Sequence, residues 1–148
     1  MNVDVNVHDR ILKPVGEVFA AVVDPAKMAH YFISSASGPM KAGSKVEWQF
    51  ADVGASAVID VIEVEENSRI VYESTHGAKT RTTIQFRADG EDATIVTIKE
   101  AEFPLDQEGV KRAMGQTAGW TYFLACLKAY VQFGINLRGG LKERLTTA

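Results

Sequence analysis

The stretch Val3-Asp4-Val5-Asn6-Val7-His8-Asp9-Arg10-Ile11-Leu12-Lys13-Pro14-Val15-Gly16-Glu17-Val18-Phe19 changes its hydrophobic period in mid-course. Up to Ile11, apolar and polar residues alternate through Val3, Val5 and Val7, the period of a half-buried strand. After Pro14 the apolar residues Val15, Val18, Phe19 and Val22 fall on one stripe, which predicts a helix over Val15–Val23. Proline suits a first helical turn because its missing N–H would have no intrahelical partner there. Asp24-Pro25 ends that helix and opens a second short one, Ala26–His30, with Asp24 as N-cap.

Beyond Tyr31 the texture is that of strands. Phe32–Ser37 is a weak strand, closed by Gly38-Pro39. Lys45–Phe50 sets Val46, Trp48 and Phe50 on one face, and Ala57–Val64 follows after a turn at Gly54. Arg69–Ser74, Arg81–Arg87 and Ala93–Glu100 come next, separated by turn signals at Asn67-Ser68, His76–Lys79 and Asp89-Gly90. Short connections between successive strands mean an antiparallel meander. One long helix, Val110 to Leu137, ends the chain, with Trp120, Phe123, Leu124, Leu127, Tyr130 and Val131 on its apolar side. The expected fold is α+β: a curved antiparallel sheet of six to seven strands wrapped around the last helix, each hiding its apolar face on the other.

At 148 residues, 46% hydrophobic and 24% charged, the chain is the size of one domain, residues 1–148, with a core that needs no staple. A net charge of −3 argues against a non-specific nucleic-acid binder. The first ten residues carry no apolar run, so no signal peptide is expected. Trp120–Leu137, the most apolar segment, is interrupted by Lys128, Gln132 and Asn136, so no membrane span is expected. With one cysteine and no such signals, a reducing cytoplasmic setting is expected.

The order of elements and the local sequence resemble the START/Bet v 1-like helix-grip superfamily, and within it the branch of the C-terminal domain of the activator of Hsp90 ATPase. The match is carried by Ile11–Phe19, Val23-Asp24-Pro25-Ala26-Lys27-Met28, Gly43-Ser44-Lys45-Val46, Val64–Glu73, and Gly119-Trp120 followed by Leu124, Leu127 and Lys128. One departure is Tyr31-Phe32, where the family often has tryptophan. The resemblance implies a deep, mostly apolar cavity between sheet and long helix. In this superfamily such a cavity serves hormone receptors, lipid-transfer domains and polyketide cyclases, so the site must be argued from residues.

His8, His30, His76 and Cys126 show no metal-ligand spacing, and no metal or other cofactor is expected. No phosphate-binding glycine loop or nucleophile elbow is present. Cys126, mid-helix among leucines, reads as a buried inert thiol. The informative feature is aromatic: Trp48, Phe50, Tyr72, Phe86, Phe103, Trp120 and Phe123, with Phe32, are the candidate ligand-binding residues, ordinary core being the alternative for each. Glu100 shares strand parity with Val96 and Ile98, which places a carboxylate at the cavity edge if they point inward; its default is a solvated position past the strand end. His76 lies beside a glycine loop that flanks an entrance or is simply surface. His76, Glu100 and Tyr72 are the weak catalytic candidates. Gly115 and Gly119 either permit a close approach by strand, ligand or second subunit, or mark a loose first turn.

The leading expectation is a binder of a small hydrophobic or aromatic ligand, without chemistry of its own. The alternatives are a cyclase, dehydratase or hydrolase on the same fold, and a chaperone-interacting module. The complete co-chaperone carries a further N-terminal domain, which this chain is expected to lack. The apolar side chains Phe133, Ile135 and Leu137 are expected to pack on the chain's own sheet or in a homodimer.

Overall fold

The computed structural model describes residues 1–75 and 79–139. Strand β1 (Asn2–Ile11) leads into helices α1 (Val15–Val23) and α2 (Pro25–Met28). Strands β2 (Ser35–Ala36), β3 (Lys45–Phe50), β4 (Ala55–Glu65), β5 (Arg69–Ser74), β6 (Arg81–Ala88) and β7 (Thr94–Pro104) follow, then helix α3 (Gln107–Phe133). The helix-starting Pro14 and the Asp24 cap act as the sequence predicts: Asp24 accepts a hydrogen bond from the Ala26 N–H at 2.9 Å.

The strands form one antiparallel sheet in the order β1-β7-β6-β5-β4-β3-β2. Strands β2 to β7 are a meander, and β1 joins it beside β7, with Val7 opposite Ile98. Since β1 and β2 occupy opposite edges, the segment holding α1 and α2 must span the sheet. It does so by burying Val18, Phe19 and Val22, with Phe19 set edge-on against Phe86 of β6 at 5.1 Å. Tyr31 anchors the exit: its hydroxyl donates to the Ala21 carbonyl at 2.8 Å and its ring stacks on Tyr130 of α3. Complete burial of that phenol, with Tyr130 and Cys126 as neighbours, pushes its pKa well above the ordinary tyrosine value. Helix α3 packs across β1 and β7, which completes the α+β helix-grip arrangement.

The weak strand expected over Phe32–Ser37 is reduced to the two residues of β2; α2 and β4 shift by two residues or fewer at each end, and α3 starts three residues earlier than expected. Two ends differ more consequentially. Strand β7 continues four residues past Glu100, because Phe103 is buried and keeps the chain extended against β1. Helix α3 stops at Phe133 rather than Leu137: Gly134 adopts the left-handed conformation (φ 68°) and its N–H caps the last turn. Phe133, Ile135 and Leu137 consequently do not pack on the chain's own sheet; Phe133 is 63% exposed. No helix among the described residues is long and apolar enough to cross a membrane.

The start of α3 depends on one close approach. Asp106 caps the helix by accepting from the Gly109 N–H at 2.7 Å, and a Cβ on Gly109 would lie 1.9 Å from the Pro104 carbonyl oxygen. By contrast, nothing lies within 4 Å of a Cβ built on Gly115 or Gly119, so no strand of the chain approaches either one closely, and both sit well inside the helix rather than in a loose first turn. In urea denaturation, Gly109→Ala is expected to lose about 1–3 kcal/mol by overpacking. Gly115→Ala is expected to gain up to about 1 kcal/mol from helix propensity. Equal effects of the two would contradict this placement.

Candidate functional site

A cavity of about 670 Å³ lies between the sheet and α3. Its sheet wall is built from alternate residues of neighbouring strands: Trp48 and Phe50 of β3, Ala57 and Ile59 of β4, Tyr72 of β5, Thr82 of β6 and Glu100 of β7. The helix contributes Arg112, Gly115, Gln116, Gly119, Trp120 and Tyr122, and Phe32 and Arg138 line the cavity from outside these elements. The space exists because small residues stand where side chains would otherwise meet. Ala55 and Ala57 leave β4 low, and the two glycines leave the helix wall bare.

Glu100 is at the deep end and only 4% exposed. Its solvated default is therefore overturned: the alternation of β7 runs up to it and carries Val96, Ile98 and Glu100 inward together, with Lys99 exposed. Only past Glu100, where the register against β1 shifts, does the parity change, so that Glu102 is exposed and Phe103 buried. Burial of a carboxylate requires hydrogen-bond donors. Trp120 Nε1 and Gln116 Nε2 both donate to Glu100 Oε1 at 2.8 Å, and Thr80 Oγ1 donates to Oε2 at 2.6 Å. Two donors come from α3 and one from the approach to β6, so the carboxylate ties helix to sheet. Tyr72 lies close by and shares a hydrogen bond with Thr82. Burial first, then the charge of Glu100, raise its phenol far above the ordinary value, partly offset by that bond, so Tyr72 stays protonated.

At the other end, Arg138 Nε donates to Asp52 Oδ2 at 2.8 Å and its Nη2 to Oδ1 at 3.3 Å. The guanidinium also lies 5.5 Å from the Phe32 ring centroid and 5.3 Å from that of Phe50. This two-point pair joins the segment after α3 to the 51–54 turn.

Of the residues expected to bind a ligand, the structure brings Phe32, Trp48, Phe50, Tyr72, Glu100 and Trp120 to the cavity wall. Phe86, Phe103 and Phe123 do not line it. Phe86 faces Phe19, Phe103 is fully buried under the Arg112 guanidinium, and Phe123 packs edge-on behind Phe32 and Trp120. His76 lies outside the described residues. Thr80, Gln116 and Arg138 escaped the sequence reading. For Gln116 a signal was present, since it precedes Trp120 by four residues and so shares its helix face. Among the described residues no group of three or more His, Cys, Asp or Glu is placed to hold a metal ion.

Replacing Glu100 by alanine would leave three donors around a buried position without their acceptor, and each such loss costs about 1–3 kcal/mol. Glu100→Ala is expected to lower stability by about 3 kcal/mol or more in chemical denaturation. Gln116→Ala, which removes one donor and leaves the carboxylate with two, is expected to cost about 1 kcal/mol. Near-equal losses would show that the carboxylate does not organise the joint.

The fold agrees with what known proteins show. The family model described as activator of Hsp90 ATPase homolog 1-like protein matches residues 13–132. No curated protein matches the chain closely enough to count as a relative. Among solved structures, the protein SSP2350 from Staphylococcus saprophyticus is 33% identical, with a TM-score of 0.81 over 92% of this chain and 96% of that one. DynU16, a protein of the dynemicin biosynthetic locus, is 27% identical with a TM-score of 0.79; 88% of this chain is covered but only 48% of DynU16, so the chain spans about half its length. The Aha1 dimer from Colwellia psychrerythraea, 17% identical over 89% of this chain and 98% of that one, shares the fold with a TM-score of 0.76. With a family match running from the first helix almost to the end of α3, the chain belongs to the activator of Hsp90 ATPase homolog 1-like family.

Proposed function

We propose that the chain binds a small apolar or aromatic molecule in the cavity between sheet and α3, and holds it without converting it. The observation that carries this reading is the cavity itself: about 670 Å³, walled by six aromatic side chains with a few polar groups among them. Ligand sites have this size and composition, about 300–1,000 Å³ and mostly apolar. A filled core would have favoured a partner-binding module instead. The polar groups present already have structural work, since Glu100 accepts three hydrogen bonds and Tyr72 is held protonated by burial and by Glu100. That supports holding over acid–base conversion.

A second surface has support of its own. Phe133, Ile135 and Leu137 present exposed apolar side chains beyond the cavity, and a relative of the same fold has been solved as a dimer. We read this end of α3 as a contact for a second copy of the chain, independent of the ligand site.

Native mass spectrometry of the full chain, as purified and after incubation with a panel of apolar aromatics, tests both readings. One bound molecule per chain, released on denaturation, is the expected result. Gly119→Leu, which places a side chain into open cavity space, is expected to remain folded and to lose that adduct. A wild-type chain that carries no adduct under any of these conditions contradicts ligand binding, and a strictly monomeric spectrum at high protein concentration contradicts the second contact.

A further inference from the structure

The deep end of the cavity has a chemical polarity that the apolar walls do not explain. Glu100 is buried there on the cavity wall, and an ionised carboxylate offers about four lone-pair sites. Among the described residues three are taken: two on Oε1, by Trp120 and Gln116, and one on Oε2, by Thr80. One acceptor site on Oε2 is left. The neighbouring Tyr72 takes a hydrogen bond from the Thr82 hydroxyl across β5 and β6. Of the two guanidiniums that line the cavity, Arg138 is paired with Asp52 and Arg112 lies against the Phe103 ring.

We propose that this site selects neutral aromatic ligands carrying an O–H or N–H donor, such as phenols and arylamines, which enter donor-first and bond to Glu100 Oε2. The inference rests on the ligand-binding reading and narrows it to a ligand class. Three consequences of the geometry support it. A donor completes the acceptor capacity of a buried carboxylate, and hydrogen bonds to a charged group are the stronger kind. A ligand carboxylate seated at the same place meets a like charge in a poorly solvated setting. A purely apolar ligand leaves the remaining lone pair unsatisfied against its own surface. The aromatic part of the ligand then lies between Trp48, Tyr72 and Trp120, where ring faces and edges already alternate: Trp48 and Tyr72 stand at 79° with centroids 5.7 Å apart.

The test uses the full chain and three probes of one ring system: 2-naphthol, 2-methylnaphthalene and 2-naphthoate. Dissociation constants are measured by calorimetry, with the indole N–H signals of Trp48 and Trp120 reporting that the probe is in the cavity. The expected order is naphthol tightest, about tenfold or more ahead of methylnaphthalene, with naphthoate weakest. Glu100→Gln is expected to shrink the naphthol advantage and to relieve the penalty on naphthoate. The wild-type series stands alone if that variant does not fold. Naphthoate binding as tightly as naphthol, or naphthol no tighter than methylnaphthalene, overturns the ligand class while leaving a binding cavity. Failure of all three probes to bind removes the ligand-binding reading, and this inference with it.

Discussion

A carboxylate buried between a helix and a sheet has to be surrounded by donors, and the way Glu100 meets that requirement organises this protein. Its donors come from both sides: Trp120 and Gln116 on α3, Thr80 on the approach to β6. Because Gln116 and Trp120 are one turn apart, their shared bond to Oε1 fixes the rotation of α3 about its axis. That rotation turns Gly115 and Gly119, each one residue earlier, onto the cavity. A second fixed point lies one strand-end away, where Gly109 allows the helix backbone to rest on the Pro104 carbonyl. Between these points the helix passes over the sheet carrying glycines where bulky residues would fill the gap. The cavity is a consequence of how the helix is held.

The far end is closed by different physics. Arg138 reaches from the segment after α3 to Asp52 in the turn between β3 and β4, and rests on the rings of Phe32 and Phe50. The pair is only partly buried, so its Coulomb attraction is moderated by solvent, and stacking on the two rings adds to it. Phe32 is itself held edge-on by Phe123, Trp48 and Phe50. An aromatic frame of this kind keeps the lining rings in place around empty space. Rigid walls with a polar group at each end suit recognition of a small molecule by shape and by a few placed contacts.

Much of the fold was legible because periodicity reports which face a residue occupies. The alternation of β1, the stripe of α1 at Val15–Val23 and the Asp24 cap are local signals, and the structure follows them. The same logic set Glu100 on the side of Val96 and Ile98. What periodicity does not report is depth along an element. Thr82, Ile84 and Phe86 are all buried on one face of β6, yet only Thr82 reaches the cavity, while Phe86 lies under α1. Phe103 and Phe123 were grouped with the lining rings for the same reason. Where β7 ends was misread because a charged residue looks like a strand terminus, whereas the three donors that make burial of Glu100 tolerable are distant in sequence. Arg138 follows a helix-ending glycine in a segment with no period at all, so nothing local pointed to its pairing with Asp52.

The chain offers an internal reporter of whether a ligand sits in the space beside Glu100, since both of its tryptophans line that space. A ¹H–¹⁵N spectrum of the full chain, titrated with 2-naphthol, shows two indole signals. Saturable movement of both, with the larger change at Trp120, whose N–H is bonded to Glu100, is the result predicted. Saturable binding by calorimetry with both indole signals unmoved would place the ligand elsewhere and contradict the account.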